Sequence, residues 1–264
     1  MKVYLSFIRQ AFHNTAIYRV QFWLQLVSGI LFMYASYWLW STLAAQNPQA
    51  IGASREQIIT YGLLATAGEM ILGGEGPHWY IANQIRTGAI DTDLMKPMDF
   101  HLYMLARNYG DTIFRLTVLG APALVLAVPF FGLRPPVSFS AGLVFAVSFL
   151  LGHLTLFSLN FLLGMLAMVT LNISNITWAY NAIVRFLSGQ IAPLWLFGGV
   201  VAAVAHALPF RSIYFIPLSI YVGTLEGGAL HEALLFQAVW VILLIALGRF
   251  AWSRVHTRLV VQGG

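Results

Sequence analysis

The sequence predicts an all-α integral membrane fold with six transmembrane helices, and three observations predict it. Hydrophobic residues fill 59% of the 264 positions and charged residues only 9%, against about 25% charged in soluble domains. That is too little charge to cover a water-facing surface. Several apolar stretches reach the roughly 20 residues a helix needs to cross a hydrocarbon core. With both termini cytosolic, only Arg55, Arg134 and Arg211 of the 14 lysines and arginines fall outside, as expected when cytosolic loops hold the positive charge. One misplaced span would spoil that asymmetry, so it supports the even count as well as the direction.

The elements follow in order, within one membrane domain over 1–264. Residues 1–19 mix Lys2, Arg9, His13 and Arg19 with Val3, Phe7, Ile8 and Phe12 at roughly helical spacing. No small-residue cleavage site follows a short apolar core, so an amphipathic surface helix is expected rather than a signal peptide. Span one runs over 20–43, with Tyr34, Tyr37, Trp38 and Trp40 suited to an interfacial belt. Span two, 58–73, is short and carries Gly62, Gly68 and Glu69; it closes the block 20–73. Residues 74–110 form the longest polar stretch, a cytosolic loop.

Spans three to five occupy 111–207. Span three, 111–131, has Pro122 and Pro129 in or near it. Span four, 137–171, exceeds one bilayer thickness, so a kink or a cytosolic extension is expected. Residues 172–180 are a short polar connection. Span five, 181–207, is interrupted at Gly189 and Pro193. Residues 208–230, with Pro209, Pro217 and Gly223, are too broken for a span and too apolar for a solvated loop. Short re-entrant helices fit them, provided protein or water satisfies the backbone. Span six runs over 231–251 and a basic tail over 252–264.

Much chemistry is absent. A phosphate-cradling loop needs a lysine after a glycine, and the only lysines are Lys2 and Lys96, the latter after Met95. The fragment Leu187-Ser188-Gly189-Gln190 sits in an apolar span and makes a poor ATPase signature. Gly110-Asp111 matches the Gly-Asp pair of intramembrane aspartyl proteases, but that chemistry needs a second carboxylate; a helix cap opening span three is the simpler role for Asp111. There is no cysteine, the seven histidines are scattered, and no metal site is expected. No nucleophile elbow appears. The net charge of +5 is explained by cytosolic loops, and no basic cluster interleaved with exposed aromatics points to nucleic acid.

Intramembrane polar groups remain. Glu69 and Arg185 are ionisable, and Glu69 facing lipid would cost a few kcal/mol. A buried pair with an arginine is the bland reading; a group lining a substrate route is the functional one. The same choice applies to His153, Asn160, Asn181 and Gln190. The small residues Gly198/Ala202 and Gly199/Ala203 have the spacing that lets helices approach closely, within one chain or between two.

The segment 83–100 reads NQIRTGAIDTDLMKPMDF. Ile85, Ala89 and Ile90 can share a helical face while Arg86, Asp91, Asp93 and Lys96 stay wet, and Pro97 ends the element. It is placed to be gripped by a soluble partner, or is simply a solvated loop. Here the chain resembles the membrane subunits of type-2 ABC transporters, the exporter-like class. More narrowly it is similar to bacterial permeases in which Ile-Arg-x-Gly-x-Ile-Asp-x-x-Leu-x-Lys/Arg-Pro recurs, here Ile85, Arg86, Gly88, Ile90, Asp91, Leu94, Lys96 and Pro97. Ser188-Gly189, Pro193-Leu194, Leu208-Pro209-Phe210, Pro217 and Gly223 extend the likeness, which covers essentially the whole chain.

The resemblance implies that 1–19 is the elbow helix. It implies that 83–100 contains the coupling helix, seated in a separate ATP-binding subunit, and that 208–230 holds outer re-entrant helices. It further implies a second permease chain, as a homodimer or heterodimer, with the route between the two. ATP and Mg would be bound by the partner ATPases, no cofactor by this chain. The setting would be a bacterial inner membrane, and the direction export. Few buried charges and an apolar interior favour lipid-like, peptide or drug-like cargo over small ions. A self-sufficient channel or ion-coupled carrier is the alternative, and it would depend strongly on Glu69.

Overall fold

The computed structural model describes residues 6, 7, 10, 19–170 and 173–255. Apart from residues 6, 7, 10 and 19, the surface helix expected over 1–19 lies outside them, as do Asn172 and residues 256–264 of the tail. The described residues form helices joined by turns, with no strand. The order is α1 (Arg19–Gln46), α2 (Arg55–Leu72), α3 (Pro77–Arg86), α4 (Ile90–Leu94), α5 (Phe100–Phe131), α6 (Phe139–Thr170), α7 (Ser174–Leu187), α8 (Gly199–Ala207), α9 (Phe215–Val222) and α10 (Gly227–Val255). Single 3₁₀ turns at Leu194–Leu196 and Pro209–Ser212 flank α8.

Among the described residues four helices are long and apolar enough to cross a membrane: α1 from Phe22, α5, α6 to Met168, and α10. The chain is a multi-pass membrane protein. The other two expected spans take different forms. Helix α2 has 18 residues and carries Arg55, Glu56 and Glu69. It is walled in by protein, with Ile58, Leu63 and Tyr61 almost fully buried. Small residues allow this: Trp40 Nε1 comes within 2.6 Å, and Tyr214 Cε1 within 2.7 Å, of where side chains on Gly62 and Gly68 would begin. Trp40 is therefore buried against α2, not part of an interfacial belt, whereas Tyr34 and Trp38 stay exposed.

The expected span five is two helices. Helix α7 begins at Ser174, inside the stretch expected as a polar connection, and α8 begins only at Gly199. Between them Gly189 takes φ +81° and Pro193 has no N–H to continue a helix. Tyr61 on α2 closes the break by donating to the Gly189 carbonyl at 2.7 Å.

Helix α5 starts eleven residues before the expected span three. Asp99 caps it, accepting the Leu102 N–H at 2.9 Å, so Asp111 lies within the helix and is not its cap. The helix widens into one π turn at Leu116–Gly120, where Pro122 supplies no donor to the preceding turn. Helix α6 is one continuous run of 32 residues, or about 48 Å at the helical rise. It thus takes the form of an extension beyond one bilayer, without a break. Helix α10 lies along α6, and Gln237 locks them: it donates to the carbonyls of Ser148 (3.1 Å) and Ser212 (2.8 Å) and accepts from Ser148 Oγ (2.8 Å). The 208–230 segment folds as short helices, and Ile213, Ile216 and Leu218 are buried there.

Candidate functional site

Two regions gather the polar side chains. The first is α3–α4 with the start of α5. Gly88, at φ +71° in open space, turns the chain between α3 and α4, so the motif is two short helices rather than one helical face. Ile90 is buried in a cluster with Ile81, Phe100, Tyr103, Met104 and Phe161, and Leu94 packs against that cluster. Arg86 is exposed and donates to Asn83 Oδ1 at 3.0 Å. Pro97 is exposed, Asp91 half-buried, and Met95 is 82% exposed. The motif thus divides into an inward anchor and an outward rim of Arg86, Gly88, Met95 and Pro97.

The anchor holds a group that the sequence reading placed in water. Asp93 is buried, with 5% of its surface exposed. Its Oδ1 accepts from Lys96 Nζ at 2.6 Å, and its Oδ2 from Tyr80 Oη at 2.7 Å and Gln84 Nε2 at 3.0 Å. Tyr103 Oη lies 3.4 Å from Oδ1. Burial pushes the Asp93 carboxyl up, but the donors Lys96, Tyr80 and Gln84 and the Lys96 charge outweigh it and hold it below the usual range. The Arg107 guanidinium lies over the Tyr80 ring at 3.9 Å. The network ties α3, α4 and α5 into one body. A carboxylate three residues before a lysine reads as a solvated surface pair; only the aromatic hydroxyls from two other helices reveal the burial.

The second region is a cleft of about 1100 Å³ between the end of α2, the start of α3, α6 and α7. All four residues expected along a route line it: Glu69, Asn181, Arg185 and Gln190. Glu69 Oε1 accepts from Arg185 Nη2 at 2.6 Å, and its Oε2 from Tyr214 Oη at 3.2 Å. Arg115 and Asp111 on α5 lie within the same electrostatic cluster, and Arg115 also donates to Gln25 Oε1 at 3.3 Å. Glu69 is paired with an arginine, but the pair is partly exposed and lines the cleft, so it has features of both readings. The pair also lines a smaller cavity of about 530 Å³ against α1, so it stands between two spaces. Tyr214, Arg115 and Glu75 were missed in the sequence, where nothing marks which distant polar residues converge.

Of the other polar candidates, His153 joins two helices and Asn160 lines the cleft. His153 Nε2 is 2.8 Å from Asn108 Oδ1 and 3.2 Å from Thr112 Oγ1, joining α6 to α5. Asn160 accepts from Tyr180 Oη at 2.9 Å. Among the described residues the small-residue pairs make no intrachain helix contact at their glycines: Gly198 precedes α8, Gly199 has φ +58°, and nothing lies within 4 Å of a side chain at either. Ala202 is half-buried and Ala203 exposed. Among the described residues no cluster of metal-ligating side chains occurs.

Comparison with curated proteins and with solved structures returns no match. A family model described as ABC-2 family transporter protein matches residues 30–263. That span takes in the α3–α4 motif, the cleft and every described helix but the first turns of α1. The chain belongs to the ABC-2 transporter family and is the membrane permease of a type-2 ABC transporter.

Proposed function

We propose that this permease pairs with a second permease chain to form an export route across a bacterial inner membrane, driven by separate ATP-binding subunits. The observation that carries the reading is the two-sided α3–α4 element, rigidly anchored through Asp93 and Ile90 and exposing Arg86, Met95 and Pro97. Such a body suits a groove in a soluble partner, because force applied at its rim passes to α5 without loss in a flexible joint. In this reading α2 and the broken α7–α8 pair complete six spans, and α9 with the Pro209–Ser212 turn is re-entrant. Both termini lie in the cytosol, residues 1–19 form the elbow, and ATP and Mg belong to the partner subunits. The cleft lined by Glu69, Asn181, Arg185 and Gln190 is the inner part of the route.

The exposed start of α8, with Gly198, Gly199, Ala202 and Ala203, and the lipid-facing side of α1 are the surfaces left for the second permease and for membrane lipids. Reconstitution with the cognate ATPase tests the reading: transport should require ATP hydrolysis. Transport by the permease alone would instead favour a self-sufficient channel or carrier. One observation gives that reading substance, the Glu69–Arg185 pair between two cavities.

A further inference from the structure

The charge balance of the cleft separates cargo classes. Glu69 is taken up by Arg185 and Tyr214. Burial lowers His78 to about 4, so its imidazole is neutral at physiological pH. Glu75, on the same wall, is exposed and has no ion-pair partner among the described residues. The lining groups therefore leave one negative charge in excess.

The same cleft is lined by two indoles, Trp79 at 39% exposure and Trp178 at 78%, and its wall includes Ile183, Phe186 and Ile191, all exposed. Indole faces attract cations, and the attraction grows as water is excluded. The remaining wall is apolar and the space of about 1100 Å³ accommodates a drug-sized molecule. An anionic amphiphile would meet an unpaired carboxylate, and its own charge would be repelled. A small hydrated metal ion would leave the apolar wall uncovered.

We infer that the cleft binds a cationic amphiphile, its positive centre against Glu75 and the Trp79 and Trp178 rings, and its apolar body along Ile183, Phe186 and Ile191. The inference rests on the reading of this cleft as part of the transport route. It goes further by fixing the sign of the cargo and by giving Glu75 and Trp178, neither of them a motif residue, the selecting role.

The test uses the full-length permease in lipid nanodiscs, without ATPase. The probes are tetraphenylphosphonium and tetraphenylborate, which share size and shape but carry opposite charge. Binding is read by tryptophan fluorescence and checked by equilibrium dialysis against empty nanodiscs. The cation should bind saturably and the anion should not. Glu75→Gln should weaken the cation about fivefold, the size of a partly screened charge contact, and Glu75→Asp should keep most of the affinity. Trp178→Ala should weaken it by a similar factor. Glu75 and Trp178 are both exposed, so these variants should fold. Equal binding of both ions, or an unchanged affinity in Glu75→Gln, would overturn the inference and reduce the cleft to an unselective apolar surface. Failure here would leave ATPase co-purification intact, whereas failure of the permease reading would remove that co-purification whatever the cation does.

Discussion

Asp93 shows what a single buried carboxylate does in a protein that has few charges. Its partners come from α3, from the turn after α4 and from α5, and each is a donor. Removing the charge leaves Lys96 beside an amide and Tyr80 with a weaker acceptor. Asp93→Asn should lower unfolding stability by about 2 kcal/mol, the range for hydrogen bonds to a charged group, seen as a fall in Tm in detergent; an unchanged Tm would deny the network its anchoring role. His78, on α3, contributes in a higher pH window than this carboxylate. Burial holds it near 4. The unfolded chain takes up its proton first as pH falls, with a pKa of about 6.5. The stability it carries is whole above about 6.5 and is lost as pH falls toward 4. Thermal scans should therefore show Tm declining through that window, with a shallower decline in His78→Gln. The Asp93 contribution, depressed below the carboxylate range, is lost only at still lower pH.

At the scale of elements, hydropathy reads contact with lipid and little else. Helices α6 and α10 were legible because they are long and present apolar residues to the outside. Helix α2 reads as a short span because most of it packs against protein rather than lipid, and Gly62 and Gly68 let Trp40 and Tyr214 close on it. The start of α7 was missed because Asn175 and Thr177 read as loop, although Thr177 is buried on the face that also carries Val184. The α3–α4 motif was located by its pattern, but its turn at Gly88 was not, since only the positive φ reveals it. Gly88→Ala should cost about 1–2 kcal/mol, the strain of an L residue in that region, by chemical or thermal unfolding; a neutral effect would mean the turn adapts. Glu69 and Arg185 join α2 to α7 across the cleft. Because both are partly exposed, their pairing adds little stability, and its role is geometric. Glu69→Gln and Arg185→Gln should each reduce transport severalfold with little change in Tm, and the exchange Glu69→Arg with Arg185→Glu should restore part of it. No recovery in the exchanged pair would assign the two side chains separate roles.

The whole molecule is a multi-pass membrane body: no phosphate loop occurs in the sequence, the α3–α4 element stands on the polar loop, and a polar-lipped cleft opens between α2 and α7. The family match over 30–263 fixes the class of machine; in the proposed reading force enters at the α3–α4 rim and cargo rests in the cleft. The most direct measurement is co-purification of the tagged permease from its native membranes in mild detergent, wild type beside Arg86→Glu and Met95→Asp. Both residues lie on the exposed rim, clear of the Asp93 anchor. The account predicts a stoichiometric ATPase with the wild type and its loss from both variants at unchanged Tm. A permease that comes out alone, and moves solute in liposomes without ATP, would contradict it.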